Sequence, residues 1–398
     1  MLIDLFGGRN KVKVLHLCLG NFYIDNYSYQ ENMLTKYHKK LELDVEIIAS
    51  LVSFDENGKT ILLNNGSTYI NENSIPVTRL EYKKSLASKR LRRYSGTYNA
   101  IEKAKPNIIF IHGCQFMDID QVVKYAERNP KVKIYVDNHA DFSNSARNWL
   151  SKNILHKIIW RRCAHLIEPF TEKFYGVLPA RVDFLRDMYK LPKDKIELLL
   201  MGADDVAVSE AKKPSIRESI RNKYNIKDCD FLIISGGKID NAKKQTLLLM
   251  EAVKEINNPN IKLIIFGSIL KELKDEVHKY VDGDKIQYIG WVPGDESYKY
   301  FASTELAVFP GRHSVYWEQV AGLGVPMIVK HWEGTTHVDL EGNCKFLYKD
   351  STEEIKNSIL DIVNNKSAYN LMCSSAQQGM SVFSYEAIAK KSIDYPKL

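Results

Sequence analysis

The chain has 398 residues, of which 44% are hydrophobic and 26% are charged, and its formal net charge is +7. This length is too great for one ordinary domain and suits two domains of about 150 to 200 residues each. No apolar run reaches the roughly 18 residues that a membrane-spanning helix needs, and the first residues lack the charged-then-apolar order of a signal peptide. We therefore expect a cytoplasmic protein with two domains that face a cleft.

The six cysteines are scattered, without a Cys-x-x-Cys pair and without a histidine at metal-ligand spacing. Most of them fall in apolar runs, where a free cysteine behaves as a small hydrophobic residue. The sequence therefore predicts neither a disulfide framework nor a structural metal.

Positive charge is concentrated in the first half, because residues 1–200 carry a net +9 and residues 201–398 a net −2. The excess lies in two stretches that we predict to be helical, 83–93 and 146–163. Basic amphipathic helices suit the headgroup region of an anionic membrane. The alternative is a solvated polar face over an ordinary core face. Nucleic acid is not expected, because no recognised binding motif accompanies the charge.

The first half predicts an alternation of strands and helices. Val12–Leu19 is a mainly apolar run, interrupted by Lys13 and His16, and is typical of a strand buried on both faces. Gly20 follows it, so that backbone can come close to a phosphate or a sugar. We place Asn21 and Asp25, in the loop after this glycine, on the acceptor side. The remaining predictions are a helix over 27–40, an inserted edge hairpin over 43–82, a helix over 85–104, strands over 107–113 and 131–142, a helix over 118–128, a helix over 146–163, and strands over 165–170 and 196–203.

Two of these strands end in histidines. His112 closes the first, and the second ends in Asp137-Asn138-His139-Ala140-Asp141. The carboxyl ends of parallel strands are where ligands bind in open sheets. For His139, which is flanked by Asp137 and Asp141, we favour a role in the site. For His112 a hydrogen-bonded structural role is as well supported as an acceptor-side role.

The polar connection after Ala203 predicts the domain boundary. We expect a first Rossmann-like domain over 1–203, a second over 204–380, and a C-terminal helix over 381–398 that packs back on the first. The second half restarts the alternation, which indicates βαβ units and a doubly wound parallel sheet. The predicted strands are 230–237, 261–267, 285–292, 305–310 and 325–329, and the predicted helices are 243–256, 270–281, 295–302, 315–323, 351–364 and 367–380.

The stretch Phe309–Val329 predicts a strand, a loop, a helix and a new strand. A loop that enters a helix beyond a strand presents free amides and a positive dipole end to an anion, which makes His313, Ser314 and Val315 candidates for donor binding. Glu318 lies one turn inside the helix, where its carboxylate can accept hydrogen bonds from vicinal ribose hydroxyls. The alternative is a first-turn glutamate that favours its own helix dipole.

A second glycine-rich loop runs from Gly236 to Lys243. Glycine permits close approach of backbone to a ligand, and Lys238 and Lys243 can both reach a diphosphate. Asp-x-Asp triplets occur at 118–120, 228–230 and 282–284, but we assign none of them to a metal-bound nucleotide sugar and expect no metal and no cofactor.

With these motifs the second half resembles the nucleotide-sugar domain of family 4 glycosyltransferases of the GT-B fold. The resemblance implies that Lys238 and Lys243, with Gly237, bind the donor diphosphate. It implies that Gly267 is the glycine after the second strand and that the backbone near Val292 holds the base. Glu318, before Gly-x-Pro, matches the ribose-binding glutamate. Gly20, His112 and His139 fall where that family has its acceptor-side loop and strand-end histidines.

One departure from the family is that Pro310 stands where a first glutamate usually contacts the donor sugar. His313 or Ser314 can take over that contact. The resemblance implies a retaining, metal-independent transfer from a nucleotide sugar, with UDP-sugar favoured, to a saccharide or lipid-linked acceptor in bacterial surface polysaccharide or glycolipid synthesis, at the inner face of the plasma membrane. In this scheme Lys238, Lys243 and His139 are the catalytic residues. The alternatives are a nucleotide-sugar 2-epimerase of the same fold and a catalytically silent binding subunit.

Overall fold

The structure is a computed structural model that describes residues 11–55, 59–85, 87–241 and 243–395. The chain divides into two compact units. The N-terminal unit comprises the residues up to Leu200 together with those from Ala389 onward, and the C-terminal unit comprises Met201–Ile388. No helix in the described ranges is both long enough and apolar enough to cross a bilayer.

Strands β1 to β10 lie in the N-terminal unit. Eight of them form one sheet in the order β10-β9-β8-β7-β1-β2-β6-β5, in which all neighbours are parallel except the antiparallel pair β5 and β6. The other two, β3 and β4, pair with each other. Their bounds are β1 (Lys13–Cys18), β2 (Asp44–Ala49), β3 (Val52–Phe54), β4 (Thr60–Leu62), β5 (Ser67–Ile70), β6 (Pro76–Arg79), β7 (Ile108–His112), β8 (Lys133–Asn138), β9 (Thr171–Gly176) and β10 (Ile196–Leu198).

The predicted edge hairpin over 43–82 is only partly right. β2 is an inner strand between β1 and β6, and the hairpin at the sheet edge is β5 with β6. The difference arises because β2 is mostly buried and pairs in parallel along its whole length with β1. One predicted turn, at 56–58, lies outside the described residues.

The helices of the N-terminal unit are α1 (Gln30–Lys40), α2 (Ser88–Leu91), α3 (Thr97–Ala104), α4 (Ile119–Arg128), a π-helix (Ser151–Trp160), α5 (Arg161–Ile167) and α6 (Pro179–Asp187), with short 3-10 turns at Glu168–Phe170 and Lys193–Lys195. The single helix predicted over 85–104 is wrong. Arg92 and Gly96 both adopt left-handed backbone conformations, with φ of 52° and 79°, and separate α2 from α3. The basic stretch 83–93 is therefore helical only at α2.

The strand predicted over 165–170 is also wrong, because this segment completes α5 and a 3-10 turn. Cys163, Ala164 and Ile167 are buried at helical spacing, so the apolar residues form one face of a helix. The strand of this region is β9, which begins at Thr171.

The sheet of the C-terminal unit is entirely parallel, in the order β13-β12-β11-β14-β15-β16. Its strands are β11 (Phe231–Gly236), β12 (Ile261–Phe266), β13 (Ile286–Tyr288), β14 (Leu306–Phe309), β15 (Met327–Lys330) and β16 (Cys344–Leu347). Every residue of β12 is buried, as expected for a parallel strand that is covered on both faces.

The helices that follow are α7 (Asp205–Ala211), α8 (Pro214–Lys223), α9 (Gln245–Glu255), α10 (Lys274–His278), α11 (Ser297–Ala302), α12 (Tyr316–Leu323), α13 (Thr352–Asn364) and α14 (Lys366–Gly379), with 3-10 turns at Lys271–Leu273, Thr336–Val338 and Met380–Phe383. The last helix, α15 (Tyr385–Ser392), begins in the C-terminal unit and ends in the N-terminal unit. In both units the parallel strands bring their carboxyl ends to one edge of the sheet, where the predicted site residues are found.

Candidate functional site

Glycines join three neighbouring strand ends in the C-terminal unit. Gly237 and Gly267, which follow β11 and β12, have φ of 128° and 127°. A Cβ atom on Gly267 would lie 2.0 Å from the carbonyl oxygen of Gly237, so only glycine fits there. The Gly237 amide donates to Phe266 O at 3.0 Å, and the Gly267 amide donates to Gly290 O at 2.7 Å. These turns pack so closely that they require glycine, whether or not a ligand also approaches their backbone.

Lys243 brings a positive charge to this loop. A Cβ atom on Gly237 would lie 3.6 Å from Lys243 Nζ and 4.0 Å from the Tyr316 ring, and one on Gly311 would touch the Lys243 backbone and Cβ. Burial lowers the pKa of Lys243, and Asp240 only partly opposes this effect. Lys238, in contrast, is exposed. A partly buried ammonium beside glycine backbone is suited to bind an anion.

Glu318 is fully buried at the start of α12. Its Oε1 atom accepts hydrogen bonds from His313 Nε2 at 2.7 Å and from His337 Nε2 at 2.8 Å. Burial by itself would raise the pKa of this carboxyl, but the two histidines outweigh burial and hold the pKa well below its usual range. The other oxygen, Oε2, is buried without a hydrogen-bond partner in the described chain.

This arrangement leaves one carboxylate oxygen of Glu318, Oε2, for a ligand. Oε2 can still accept from a hydroxyl group. The three side chains also place one ligand atom each within 4.8 Å of one another. Two imidazoles and a carboxylate could hold a divalent ion such as Zn²⁺, although a metal would have to replace both histidine–carboxylate hydrogen bonds.

The other donor-side candidates surround these two groups. Ser314 and Val315 are partly exposed just before α12, which starts one residue later than predicted. Val292 is buried, whereas its neighbour Trp291 is 71% exposed. Val292 lies in the loop after β13, because that strand ends at Tyr288 and not at position 292 as predicted.

In the N-terminal unit a second buried carboxylate lies at a strand end. Asp137, on β8, accepts from His112 Nδ1 through Oδ2 at 2.7 Å, and His139 Nε2 lies 3.4 Å from the same oxygen. Glu31 of α1 is 3.9 Å from His139 Nε2. Burial lowers the pKa of His139, but Asp137 and Glu31 outweigh burial and raise it above its ordinary value. His112 is thus hydrogen-bonded to Asp137, whereas His139 Nε2 lies near the same oxygen without a hydrogen bond to it.

Asp25 and Asp141 have structural partners. Asp25 Oδ2 accepts from Arg79 Nη2 at 2.9 Å and from Tyr69 OH at 2.7 Å, so Asp25 compensates a buried guanidinium. Asp141 Oδ1 accepts from the amide and the hydroxyl of Ser143 at 2.7 and 2.6 Å and stabilises a turn. The second oxygen of Asp25, Oδ1, is buried without a hydrogen-bond partner among the described residues.

Gly20 and Asn21 lie at the end of β1. A Cβ atom on Gly20 would lie 1.9 Å from the carbonyl oxygen of Gly113, and the Gly20 carbonyl accepts a hydrogen bond from Arg92. Asn21 Cγ is 3.6 Å from the corresponding position on Gly113. Packing between two strand ends therefore requires glycine at position 20.

Sequence reasoning missed Glu31 and His337, and also His16 and His38, which extend the contacts of His112: His16 Nδ1 lies 2.9 Å from His112 Nε2, and His16 Nε2 lies 2.9 Å from His38 Nδ1. His16 could have been noticed, because a histidine inside an apolar strand needs a buried partner. His337 lies in a 3-10 turn, 19 residues from Glu318. No local pattern connects these two positions.

Comparison with known proteins agrees with this architecture. Residues 216–379 match the family model described as Glycosyl transferases group 1. MJ1607, an uncharacterized glycosyltransferase of Methanocaldococcus jannaschii, is 22% identical over 223 residues, which are 53% of this chain and 56% of that protein. The match therefore spans about half of the curated relative.

Two solved structures match nearly the whole chain. HepE of Anabaena, in complex with UDP and glucose, has a TM-score of 0.64 at 13% identity, with 96% of this chain and 98% of that chain covered. The fold is GT-B. The UDP-GlcNAc 2-epimerase of Neisseria meningitidis, bound to UDP-GlcNAc, has a TM-score of 0.61 at 12% identity, with 96% and 99% covered. The predicted fold class, two Rossmann-like domains with parallel sheets, is thereby confirmed. At such identities the likeness concerns the GT-B fold alone.

Proposed function

We propose that this chain is a glycosyltransferase that takes a sugar from a nucleotide-sugar donor, with UDP-sugar favoured, and transfers it to a saccharide or lipid-linked acceptor. The observation that carries the proposal is Lys243, a partly buried cation aimed at the glycine turn that follows β11. The match of residues 216–379 to group 1 glycosyltransferases supports it. HepE, whose structure holds UDP and glucose on the same fold, supports the donor class.

In this proposal the C-terminal unit binds the donor. The ammonium groups of Lys238 and Lys243 contact the diphosphate and stabilise the charge that develops on it as the sugar leaves. Glu318 accepts a ribose hydroxyl through Oε2, because Oε1 already accepts from His313 and His337. The loop backbone near Val292 contacts the base, and His313 or Ser314 contacts the donor sugar in place of the absent first glutamate.

The N-terminal unit binds the acceptor, with His139 at the reacting centre. We propose that the transfer retains configuration, with a donor phosphate oxygen accepting the proton of the acceptor hydroxyl, and that it needs no metal. An assay with and without a chelator tests the last point. Loss of activity on chelation would contradict the metal-free transfer. The described residues offer two groups of possible ligands for such an ion, which are His313, Glu318 and His337, and Glu31, His112 and His139.

The test of donor binding is a thermal-shift panel of UDP, GDP, ADP and CMP. A nucleotide at a hundred times its dissociation constant adds about 2.7 kcal/mol, which corresponds to several degrees at about 2 to 4 °C per kcal/mol. We expect Lys243→Ala to abolish the shift. Lys244→Ala is the matched control, because Lys244 is the exposed neighbour of Lys243. An equal shift in Lys243→Ala and in the control would remove Lys243 from the donor site.

A second candidate function is a nucleotide-sugar 2-epimerase. The N. meningitidis epimerase shares the fold at nearly the same TM-score as HepE. The two functions differ in whether an acceptor is needed. Incubation with UDP-GlcNAc alone, followed by analysis of the sugar, distinguishes them: an epimerised sugar without acceptor favours the epimerase. If no nucleotide binds at all, the chain is a silent subunit, for which Pro310 is the supporting residue.

We further propose contact with an anionic membrane surface at the inner face of the plasma membrane. Trp149, Leu150 and Ile158 are 71%, 47% and 58% exposed, and Lys152 and Lys157 on the same segment are exposed as well. Exposed apolar and basic side chains together suit the headgroup region. Flotation with vesicles that contain anionic lipid should be weakened by Trp149→Ser. Equal flotation of this variant and wild type would contradict the proposal.

A further inference from the structure

Three buried histidines form a continuous chain of contacts in the N-terminal unit. His16 Nε2 lies 2.9 Å from His38 Nδ1, and His16 Nδ1 lies 2.9 Å from His112 Nε2. All three residues have no exposed surface. They come from three elements, namely β1, α1 and β7, so the chain crosses the core beneath the strand ends.

Both ends of this chain are hydrogen-bond acceptors. At one end His112 Nδ1 meets Asp137 Oδ2 at 2.7 Å. At the other end His38 Nε2 lies 3.1 Å from the carbonyl oxygen of Ala389 and 3.0 Å from Ser392 Oγ. The hydroxyl of Ser392 itself donates to Ala389 O at 2.8 Å. A carbonyl and a carboxylate have no proton to give.

The number of protons follows from these contacts. From Asp137 to Ala389 there are four contacts, and each needs one proton to be a hydrogen bond. A neutral imidazole carries one ring proton and an imidazolium two. Three neutral histidines therefore supply three protons for four contacts. One extra proton makes all four hydrogen bonds, with the three rings carrying a single positive charge.

The neutral alternative needs the Ser392 hydroxyl to turn towards His38. His38 Nε2 would then accept from Ser392, but the Ala389 carbonyl would lose its Ser392 donor and would face the lone pair of His38 Nε2 at 3.1 Å. Leaving a buried acceptor without a donor is unfavourable. The geometry thus favours the charged chain.

The surroundings supply one full counter-charge in direct contact, the carboxylate of Asp137. His112 and His139 outweigh the effect of burial and hold the pKa of Asp137 well below its usual range, so the carboxylate is ionised. Of the three rings, His112 is the one that contacts this carboxylate, at 2.7 Å, so the contact places the charge on His112. Burial lowers the pKa of both His16 and His38, to about 4 for His38. The other titratable or charged groups near the chain are Glu31, Cys18, Cys114, His139 and Arg181.

We propose that the chain His38–His16–His112 holds one extra proton as a buried cation, located on His112, which neutralises Asp137 directly behind His139. His16 and His38 are positioning residues that fix the tautomer of His112 and link it to the segment Ala389–Ser392. The cation moderates the pull of Asp137 on the proton of His139. This inference stands on the core of the N-terminal unit and is independent of the proposed transferase activity.

The first test uses the whole protein with its histidines labelled with ¹⁵N. The ring nitrogen shifts distinguish an imidazolium from either neutral tautomer. We expect one of the three buried rings to remain doubly protonated at about pH 7.5 to 8.5, above the ordinary histidine pKa of about 6.5. Three neutral rings in that range would overturn the proposal. Because this measurement uses the wild-type chain, it does not depend on any variant folding.

The second test is the variant His38→Phe, which should no longer need the extra proton. Two contacts then remain, Asp137–His112 and His112–His16, and the ring protons of neutral His16 and neutral His112 are sufficient for both. The matched control is His156→Phe, since His156 is buried in the same unit, bonds to Tyr189 OH at 2.9 Å and has its pKa lowered to about 4 by burial. His38→Leu replaces His38→Phe if the larger ring prevents folding.

The readout is the pH dependence of unfolding, followed through resonances of β1 and β7. One proton held only by the folded state lowers the folding constant about tenfold for each unit of rising pH. We expect the folding constants of wild type and His156→Phe to decline in this way at about pH 7.5 to 8.5. The decline for His38→Phe should be less steep by the contribution of one proton. If the three histidines are neutral, the stability of wild type and of His38→Phe should depend equally on pH at about pH 7.5 to 8.5. At about pH 4 to 6 the stability of His38→Phe should then depend less steeply on pH than that of wild type, by one proton, as for His156→Phe. That result would overturn the proposal.

Discussion

In each unit a fully buried carboxylate lies near the carboxyl ends of the strands, and two histidines approach one of its oxygens. Asp137 lies 2.7 Å from His112 and 3.4 Å from His139. Glu318 lies 2.7 Å from His313 and 2.8 Å from His337. In both groups the second carboxylate oxygen is buried without a partner among the described residues.

The two groups differ in what lies behind them. His112 passes its second nitrogen to His16, and the contacts continue to the end of α15. His337 Nδ1 is buried without a partner in the part of the chain that the structure describes. The group of His313, Glu318 and His337 is therefore a local cluster, which we call the clamp. Asp137, in contrast, is the last acceptor in a chain of histidines in which every contact needs one proton. A nearby carboxylate alone does not determine the charge of its histidines; the partner of the far ring nitrogen does.

The strongest test of this difference is Asp137→Asn. It removes the counter-charge of the chain but keeps the shape of the side chain. Removing one partner of a buried ion pair costs about 3 to 5 kcal/mol, and we expect a loss of about 3 kcal/mol in denaturant unfolding of the N-terminal unit at neutral pH. The control is Asp194→Asn, because Asp194 is exposed and such surface changes stay within about 0.5 kcal/mol. An equally small effect of Asp137→Asn would show that His112 is not charged.

The corresponding change in the clamp is Glu318→Gln. It weakens two charge-assisted hydrogen bonds, each worth about 1.5 to 3 kcal/mol, but the amide oxygen can still accept from one histidine. We expect a loss of about 2 kcal/mol, confined to the unfolding of the C-terminal unit. Glu333→Gln, at an exposed glutamate in the loop before His337, should leave stability unchanged.

The dependence of stability on acid pH tests whether Glu318 is ionised in the folded protein. The folded-state pKa of Glu318 lies below the ordinary value of 4.5, so its contribution to stability is complete above that pH and is lost as the pH falls below it. The difference between wild type and Glu318→Gln should therefore shrink as the solution is acidified from about pH 5 to 3. A constant difference over this range would mean that the carboxylate is not ionised in the folded protein.

The sequence predicted the order of elements well where apolar runs are continuous. In the C-terminal unit, strands such as β11 and β12 and helices such as α9 and α13 fall within a few residues of the prediction. The prediction failed where the backbone conformation of a single residue ends a helix, as at Arg92 within the helix predicted over 85–104. A left-handed backbone conformation at arginine cannot be recognised in the hydrophobic pattern.

The site was predictable only as far as its residues lie next to one another in the sequence. Lys243 with Gly237, and His313 with Glu318, are within six residues of each other and carry a motif. The partners His16, His38 and His337 come from distant positions, and their contacts depend on strand order and on where α15 ends. Strand order does not follow from one sequence, so neither chain nor clamp could be anticipated.

The smallest expected effect compares two histidine replacements directly, His337→Phe and His112→Phe. His337→Phe removes one donor to Glu318 but also removes a buried nitrogen that has no partner, so we expect a loss of only about 1 kcal/mol. His112→Phe breaks the chain next to Asp137: Asp137 loses its close partner, and His16 Nδ1 loses the donor that His112 Nε2 supplies. Its loss should be about 3 kcal/mol. Denaturant unfolding of the two variants, each compared with wild type in its own unit, measures both. Equal losses would mean that the far nitrogen of the histidine makes no energetic difference, and the distinction between the chain and the clamp would then be one of geometry alone.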